Sequence, residues 1–229
     1  MAGNKSALSK IFDAAYAVVW DMDGVLVDSE SYHFAAHKLA LSEVGITLTK
    51  HTYIHEGVGI DPQKFYEHVF REAEKDFSET IFLNVHYKKM ALYQQMQRDY
   101  GITLIAPAVE IVKQLYKNGV LMAISSQVHR EEVIRNLRGT NLLYYFPIIV
   151  ALGDFGLPKK PAPDMYLKAV ELLNGKPQTT IAIEDSTVGA ASAIAAGVTC
   201  LVVPNEFTKE QTFPAKAIQT TFKDIAAAL

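Results

Sequence analysis

The segment Ala17-Val18-Val19-Trp20-Asp21-Met22-Asp23-Gly24-Val25-Leu26-Val27-Asp28-Ser29 decides the fold. Its first residues are apolar, with β-branched and aromatic side chains, and they run without alternation into a carboxylate. That is the pattern of a strand buried on both faces, as in a parallel sheet. Similar runs recur at 120–124, 148–150, 180–183 and 198–203. Helical patterns occupy 109–117, 130–138, 164–173 and 188–196, with Gly119, Gly139, Gly175 and Gly197 after them as stops. Repeated strand, helix, strand predicts an α/β protein: a parallel sheet with helices on both faces and ligands at the carboxyl ends of the strands. The block from about 31 to 106 reads differently, with helical stretches at 32–44, 62–75 and 80–100 and no convincing buried strand. It is read as a helical cap domain inserted after the first strand, 31–106, lying over the active edge of a core formed by 1–30 and 107–229. The segment up to about Lys10 is expected to be a loosely held lead-in.

Composition narrows the function. At 229 residues with 49% hydrophobic and 21% charged content, the chain can bury a real core. Lys and Arg number 22 against 25 Asp and Glu, a net charge of -3. That balance gives no general attraction to nucleic acid or an anionic membrane, so an anionic ligand must be held locally. The apolar stretch 14–20 is far short of the ~20 residues of a membrane span and lacks the features of a signal peptide. Cys200 is the single cysteine, so no intramolecular disulfide is possible and a reducing, cytoplasmic setting is expected. No protein partner is evident.

Chemistry-bearing residues cluster at the ends of the expected strands. Asp21 suits a nucleophile and Asp23 a general acid and base, with Gly24 allowing a sharp turn; turn formation and helix capping are the plain alternative. Ser125 and Ser126 suit a phosphate cradle at a strand-to-helix turn, or simple helix capping. Lys160, in Pro158-Lys159-Lys160-Pro161-Ala162-Pro163-Asp164, sits on a stiffened loop and reads either as a presented ammonium or as a solvated one. Glu184 and Asp185 suit oxygen ligands for magnesium, or an N-cap. In a parallel sheet these groups converge, and together they form an inventory for phosphoryl transfer. An attacking carboxylate and a phosphate repel by roughly 4 kcal/mol per charge pair at ~4 Å and an effective dielectric of ~20, which a divalent cation and Lys160 would offset.

With these residues in view, the sequence resembles the haloacid dehalogenase superfamily, specifically its phosphatase and β-phosphoglucomutase-like branch. Four motifs appear in order: Asp21-Met22-Asp23-Gly24-Val25, Ser125, Lys160 before Pro161-Ala162-Pro163-Asp164, and Glu184-Asp185-Ser186. The resemblance implies a Rossmann-like core with a closing cap. It implies Asp21 as the residue phosphorylated in an aspartyl-phosphate intermediate and Asp23 as general acid, then base. Mg2+ would be held by the Asp21 carboxylate, the Asp23 backbone carbonyl and Asp185, with Glu184 in or beside the coordination shell. Ser125 and Lys160 would bind phosphate, with a backbone N–H from Ser126.

The activity expected is magnesium-dependent hydrolysis of a small phosphorylated metabolite, such as a sugar phosphate. Asp23 disfavours dehalogenation, because a halide leaves without a proton. A sugar-phosphate mutase is the alternative, since Tyr32-His33-Phe34 matches the cap-proximal motif of β-phosphoglucomutase. That family follows a Gly-Val pair with serine and a phosphate-gripping arginine, whereas Gly57-Val58 is followed here by Gly59-Ile60. Lys88, Lys89 or Arg71 would be substitutes, although nothing in the sequence places them. A catalytically idle phosphate sensor is the third reading. Glu30, His33 and the loop 56–60 are candidate substrate contacts. His51 and His55, four apart, lack an evident third metal ligand, and Cys200 is expected to pack as a small hydrophobe.

Overall fold

A computed structural model describes residues 6–229. In chain order they form α1 (Ala7–Asp13), β1 (Ala17–Trp20), α2 (Glu30–Ser42), α3 (Lys50–Glu56), α4 (Pro62–Glu72) and α5 (Glu79–Tyr100). There follow α6 (Ala106–Lys117), β2 (Leu121–His129), α7 (Arg130–Arg138), β3 (Ile148–Leu152) and α8 (Asp164–Leu172). The chain ends with β4 (Thr180–Glu184), α9 (Thr187–Ala195), β5 (Thr199–Val202), β6 (Ile218–Gln219) and α10 (Phe222–Ala228). It divides into two compact units, one of residues up to Val27 with Leu104–Leu229, the other Asp28–Thr103. The division falls slightly earlier than the sequence-based boundaries, because Asp28 N–H donates to Thr103 O at 2.8 Å while Ile105 N–H donates to Leu26 O at 3.0 Å.

The first unit holds one six-stranded sheet in the order β3-β2-β1-β4-β5-β6, with every pairing parallel. The expected Rossmann-like α/β architecture is present. Strand β1 lies inside, its four residues fully buried as their unbroken apolar run requires. Side chains alternate across the pleat. Ala17 and Val19 join Ala123, Val150, Ala182 and Cys200 in a core cluster with Met165, Tyr166 and Ala169 of α8 and Ala190 and Ala193 of α9. Small residues on this face let both helices approach closely. Trp20 meets Phe146 edge-on at 6.5 Å.

Register aligns the strand ends: Trp20 pairs with Ile124 on one side and Ile183 on the other. Asp21 N–H extends the ladder by donating to Ile183 O at 2.9 Å. Chain direction across the sheet reverses between β1 and β4, so this is the switch point where such sheets bind ligands.

The second unit is helical. Asp61 caps α4 by accepting from Gln63 N at 3.0 Å and Lys64 N at 3.3 Å, with Pro62 opening the helix. Its interior is aromatic: Tyr53, Phe65, Tyr66, Phe70 and Tyr93 are buried. His37 is buried among them beside Tyr66 Oη at 3.0 Å, and burial, with Lys89, His33 and His86 adding, lowers its pKa from 6.5 to about 2.

Several expectations need correction. Residues 7–10 are not a loose lead-in but belong to α1, capped by Ser6, whose Phe12 is buried; residues 1–5 lie outside the described residues. The second strand does not stop near Ile124: it continues to His129 through a register irregularity after Ser125. Glycine as the left-handed stop holds at Gly119 and Gly197, both at φ 75, but after α8 that conformation falls on Asn174 at φ 53. After α7 it falls on Asn141 at φ 59, while Gly139 stays at φ −82. Asparagine tolerates this region better than other residues with a Cβ. α3, β6 and α10 are additions with weak apolar patterns.

Replacing the fully buried Ile124 by alanine leaves a cavity in the central sheet, and the Ile124→Ala variant should lose ~2–5 kcal/mol in urea unfolding. An unchanged midpoint and slope would contradict the placement of this side chain.

Candidate active site

Asp21 follows β1 directly, and the chain then turns tightly. Leu26 N–H and Val27 N–H both donate to Met22 O, at 2.8 and 3.1 Å, and Gly24 N–H donates to Val27 O at 2.8 Å. Gly24 sits at φ 76, and a Cβ there would lie 2.2 Å from Asp185 Oδ2. Glycine is therefore required twice over, for conformation and for space.

Lys160 is the hub. It is 3% exposed, so the solvated reading fails. Its ammonium donates to Asp21 Oδ1 at 2.6 Å, Glu184 Oε1 at 2.7 Å and Ser125 O at 2.9 Å. Tyr166 Oη also donates to Glu184 Oε1, at 2.6 Å, and its ring lies 4.9 Å from the lysine nitrogen. Glu184 is thus engaged on one oxygen by Lys160 and Tyr166, and on the other by Ser186 Oγ at 3.4 Å. A Cβ on Gly189 would stand 2.0 Å from Glu184 Oε2, so the first turn of α9 closes over this carboxylate.

Carboxylate oxygens of Asp21, Glu184 and Asp185 all lie within 4.8 Å of one another. Asp185 accepts from Asn205 Nδ2 at 2.6 Å, and neither Glu184 nor Asp185 caps a helix, since Ser186 caps α9 by accepting from Gly189 N. Burial raises the Asp21 carboxyl from 3.8 to about 8; Lys160 opposes this, while Glu184 and Asp23 add to it. Burial pulls Lys160 down, but Asp21 and Glu184 outweigh it and hold the ammonium above its usual 10.5. One cation thus faces more carboxylates than it can neutralise, and the shortfall lands on Asp21.

Closely set hard oxygen donors with surplus negative charge fit a divalent cation such as Mg2+. Ser125 Oγ is fully buried with no hydrogen-bond partner among the described residues, a hydroxyl suited to a ligand oxygen. Neither serine caps α7: Ser126 Oγ accepts from Val128 N at 3.3 Å, and His129 precedes the helix. Because β2 runs on to His129, the start of α7 is not the turn expected directly after the serines.

The structure therefore brings Asp21, Ser125, Lys160, Glu184 and Asp185 together, with Asp23 close enough to act on Asp21 electrostatically. Tyr166 and Asn205 were missed. Asn205 follows β5, so the strand-end rule extended by one strand would have flagged it, whereas Tyr166 lies on an apolar face of α8 and only the need of its hydroxyl for a partner hints at a polar role.

Glu30 and His33 belong to the other unit. Glu30 accepts a hydrogen bond from Tyr53 Oη. His33 stacks on Tyr93 with ring centroids 4.1 Å apart, and its Nδ1 lies 2.7 Å from Lys89 Nζ. Burial, and then the lysine charge, hold His33 well below its usual 6.5, so it is neutral and accepts from the ammonium. Lys89, one of the three cations that the sequence could not place, is buried. His51 and His55 are an exposed pair with ring centroids 4.3 Å apart.

Among known proteins, residues 18–203 match the family of haloacid dehalogenase-like hydrolases. The chain is 29% identical to the phosphorylated carbohydrates phosphatase of Thermotoga maritima, over 80% of this chain and 82% of that protein. It is 27% identical to the protein CbbY of Rhodobacter capsulatus, over 87% and 89%. A solved hydrolase of the same family from Deinococcus radiodurans, with bound phosphate and sodium, superposes with a TM-score of 0.79 at 25% identity, covering 94% of this chain and 95% of that one.

The raised carboxyl of Asp21 predicts a pH signature in the cation-free protein. Between about pH 4 and 8 the folded state holds a proton that the unfolded state releases, so stability from this group is complete below pH 4 and is lost as pH rises through 8. Relative to Asp21→Asn, the wild type should lose up to ~1.4 kcal/mol per pH unit across that window. Urea titrations of both proteins in chelator would show it; parallel profiles would refute it.

Proposed function

The chain belongs to the haloacid dehalogenase-like hydrolase family, and we propose that it is a magnesium-dependent phosphatase of a small phosphorylated carbohydrate, working through an aspartyl-phosphate. The observation that carries this reading is the buried Asp21–Lys160–Glu184 triad beside Asp185 and the unpartnered hydroxyl of Ser125. The sugar-phosphate class is supported by the Thermotoga relative.

Asp21, Asp185 and the Asp23 carbonyl would hold the cation, which when bound would cancel the surplus carboxylate charge, keep Asp21 ionised at neutral pH and screen the incoming phosphate. Lys160 occupies Oδ1 of Asp21 and orients the group, leaving the other oxygen to attack phosphorus. The Ser125 hydroxyl and Lys160 bind phosphate oxygens, with a backbone N–H of Ser126. As the ester P–O bond breaks, Asp23 delivers its proton to the departing oxygen, giving a free hydroxyl on the sugar. Asp23 then takes a proton from water, whose oxygen attacks phosphorus, releasing inorganic phosphate and restoring Asp21. Glu184 acts chiefly on Lys160, since that ammonium and Tyr166 both engage its Oε1. The Asp28–Thr103 unit is read as the cap, with Glu30 and His33 its candidate specificity residues.

A second reading, a sugar-phosphate mutase, is favoured by the Lys89–His33 contact at 2.7 Å, which supplies a buried cation beside the Tyr32-His33-Phe34 segment. Phosphorus NMR of a hexose 1-phosphate with enzyme and Mg2+ separates the two. Free phosphate marks the hydrolase and an isomerised ester the mutase.

Asp21→Asn should abolish phosphate release from a panel of sugar phosphates. Asp23→Asn should lower turnover at least ~10²-fold with the fold intact by circular dichroism. Full turnover in Asp21→Asn would sink the covalent mechanism.

A further inference from the structure

Nothing in the phosphoryl-transfer reading accounts for Asn205, yet it is tied directly to Asp185. Its Nδ2 donates to Asp185 Oδ2 at 2.6 Å and also reaches Gly24 O at 3.4 Å. The orientation of the amide is not arbitrary. Its Oδ1 accepts from Phe207 N at 2.8 Å and Thr208 N at 3.2 Å, so the opposite end must present the donor. The backbone N–H of Asn205 donates to Thr208 Oγ1 at 3.0 Å, and Thr208 is buried. The asparagine is therefore locked by its own turn before it meets the carboxylate.

The same segment grips the chain just beyond Asp185. Gln211 Oε1 accepts from Thr187 N at 2.9 Å, and Thr187 Oγ1 donates to Thr212 O at 3.0 Å. A Cβ on Gly24 would lie 2.7 Å from Asn205 Nδ2, so the turn after β1, Asp185 and the turn after β5 are pressed together without slack.

We propose that Asn205 is a positioning residue for cation binding: its locked amide holds Oδ2 of Asp185 and fixes the plane in which that carboxylate meets the divalent ion shared with Asp21. This rests on the reading of the acidic cluster as a Mg2+ site. A carboxylate free to rotate would have to be ordered as the ion binds, and fixing a ligand's plane beforehand removes that cost. Loss of such outer partners typically weakens metal affinity 10–100-fold.

The test is binding of Mn2+, as a surrogate for Mg2+, followed by electron paramagnetic resonance on the purified full chain. Serine keeps an acceptor for the turn but is too short to reach Asp185, so Asn205→Ser isolates the contact. The Mn2+ Kd of Asn205→Ser should rise about ten-fold or more. In turnover the KM for Mg2+ should rise in step, while kcat at saturating Mg2+ changes far less. An unchanged Kd with a lowered cation-free melting temperature would make the residue merely structural and overturn the proposal. If Asn205→Ser does not fold, Asn205→Ala is measured in the same way, and failure of both to fold at any Mn2+ concentration overturns it too. Failure of the wild type to bind Mn2+ would instead bring down the reading of the centre itself.

Discussion

A single buried ammonium, that of Lys160, organises this protein's centre. It touches Asp21, Glu184 and the Ser125 carbonyl, which come from three different strands of the sheet. Burying such a charge is unfavourable unless it is fully paired, and the pairing here is dense. The acidic surroundings nevertheless exceed what one lysine can balance, so the same contacts that hold the sheet ends together leave a deficit of positive charge. Chemistry and architecture are therefore one constraint: the contacts that align the strand ends also make the centre one that suits a cation.

The sheet supplies the geometry with little help from loops. Because Trp20 is level with both Ile124 and Ile183, the next residue on each strand emerges at the same height. Asp21, Ser125 and Glu184 are those residues. Small side chains on α9 and a glycine over Glu184 then allow a helix to seal the carboxylate from water, which strengthens its pairing with Lys160.

Much of this was legible in the chain because buried parallel strands are continuous apolar runs and their ends are marked by abrupt polarity. The strand boundaries around Asp21 and Glu184 follow from that contrast alone. What stayed hidden was what depends on partners distant in sequence. Lys89 looks like any lysine on a helix until His33 is found 2.7 Å away, and Tyr166 looks like a core aromatic until its hydroxyl meets Glu184. Asn205 carries no strand-end acid to draw notice. The extension of β2 to His129 was missed because Ser125, Ser126 and Gln127 are polar, and polarity within a buried strand at a ligand site reads as the strand's end.

The order of strands has a bearing on how the chain acquires its shape. Strand β1 must pair with residues 121–124 and 180–183, across the whole of the helical insertion and most of the remaining core. Contacts so distant along the chain form slowly, whereas the pairing of α2 with α5 spans a shorter stretch of chain. On the ribosome, a nascent chain that stops short of β4 therefore leaves β1 without one of its two neighbouring strands and Asp21 without Glu184 and Asp185.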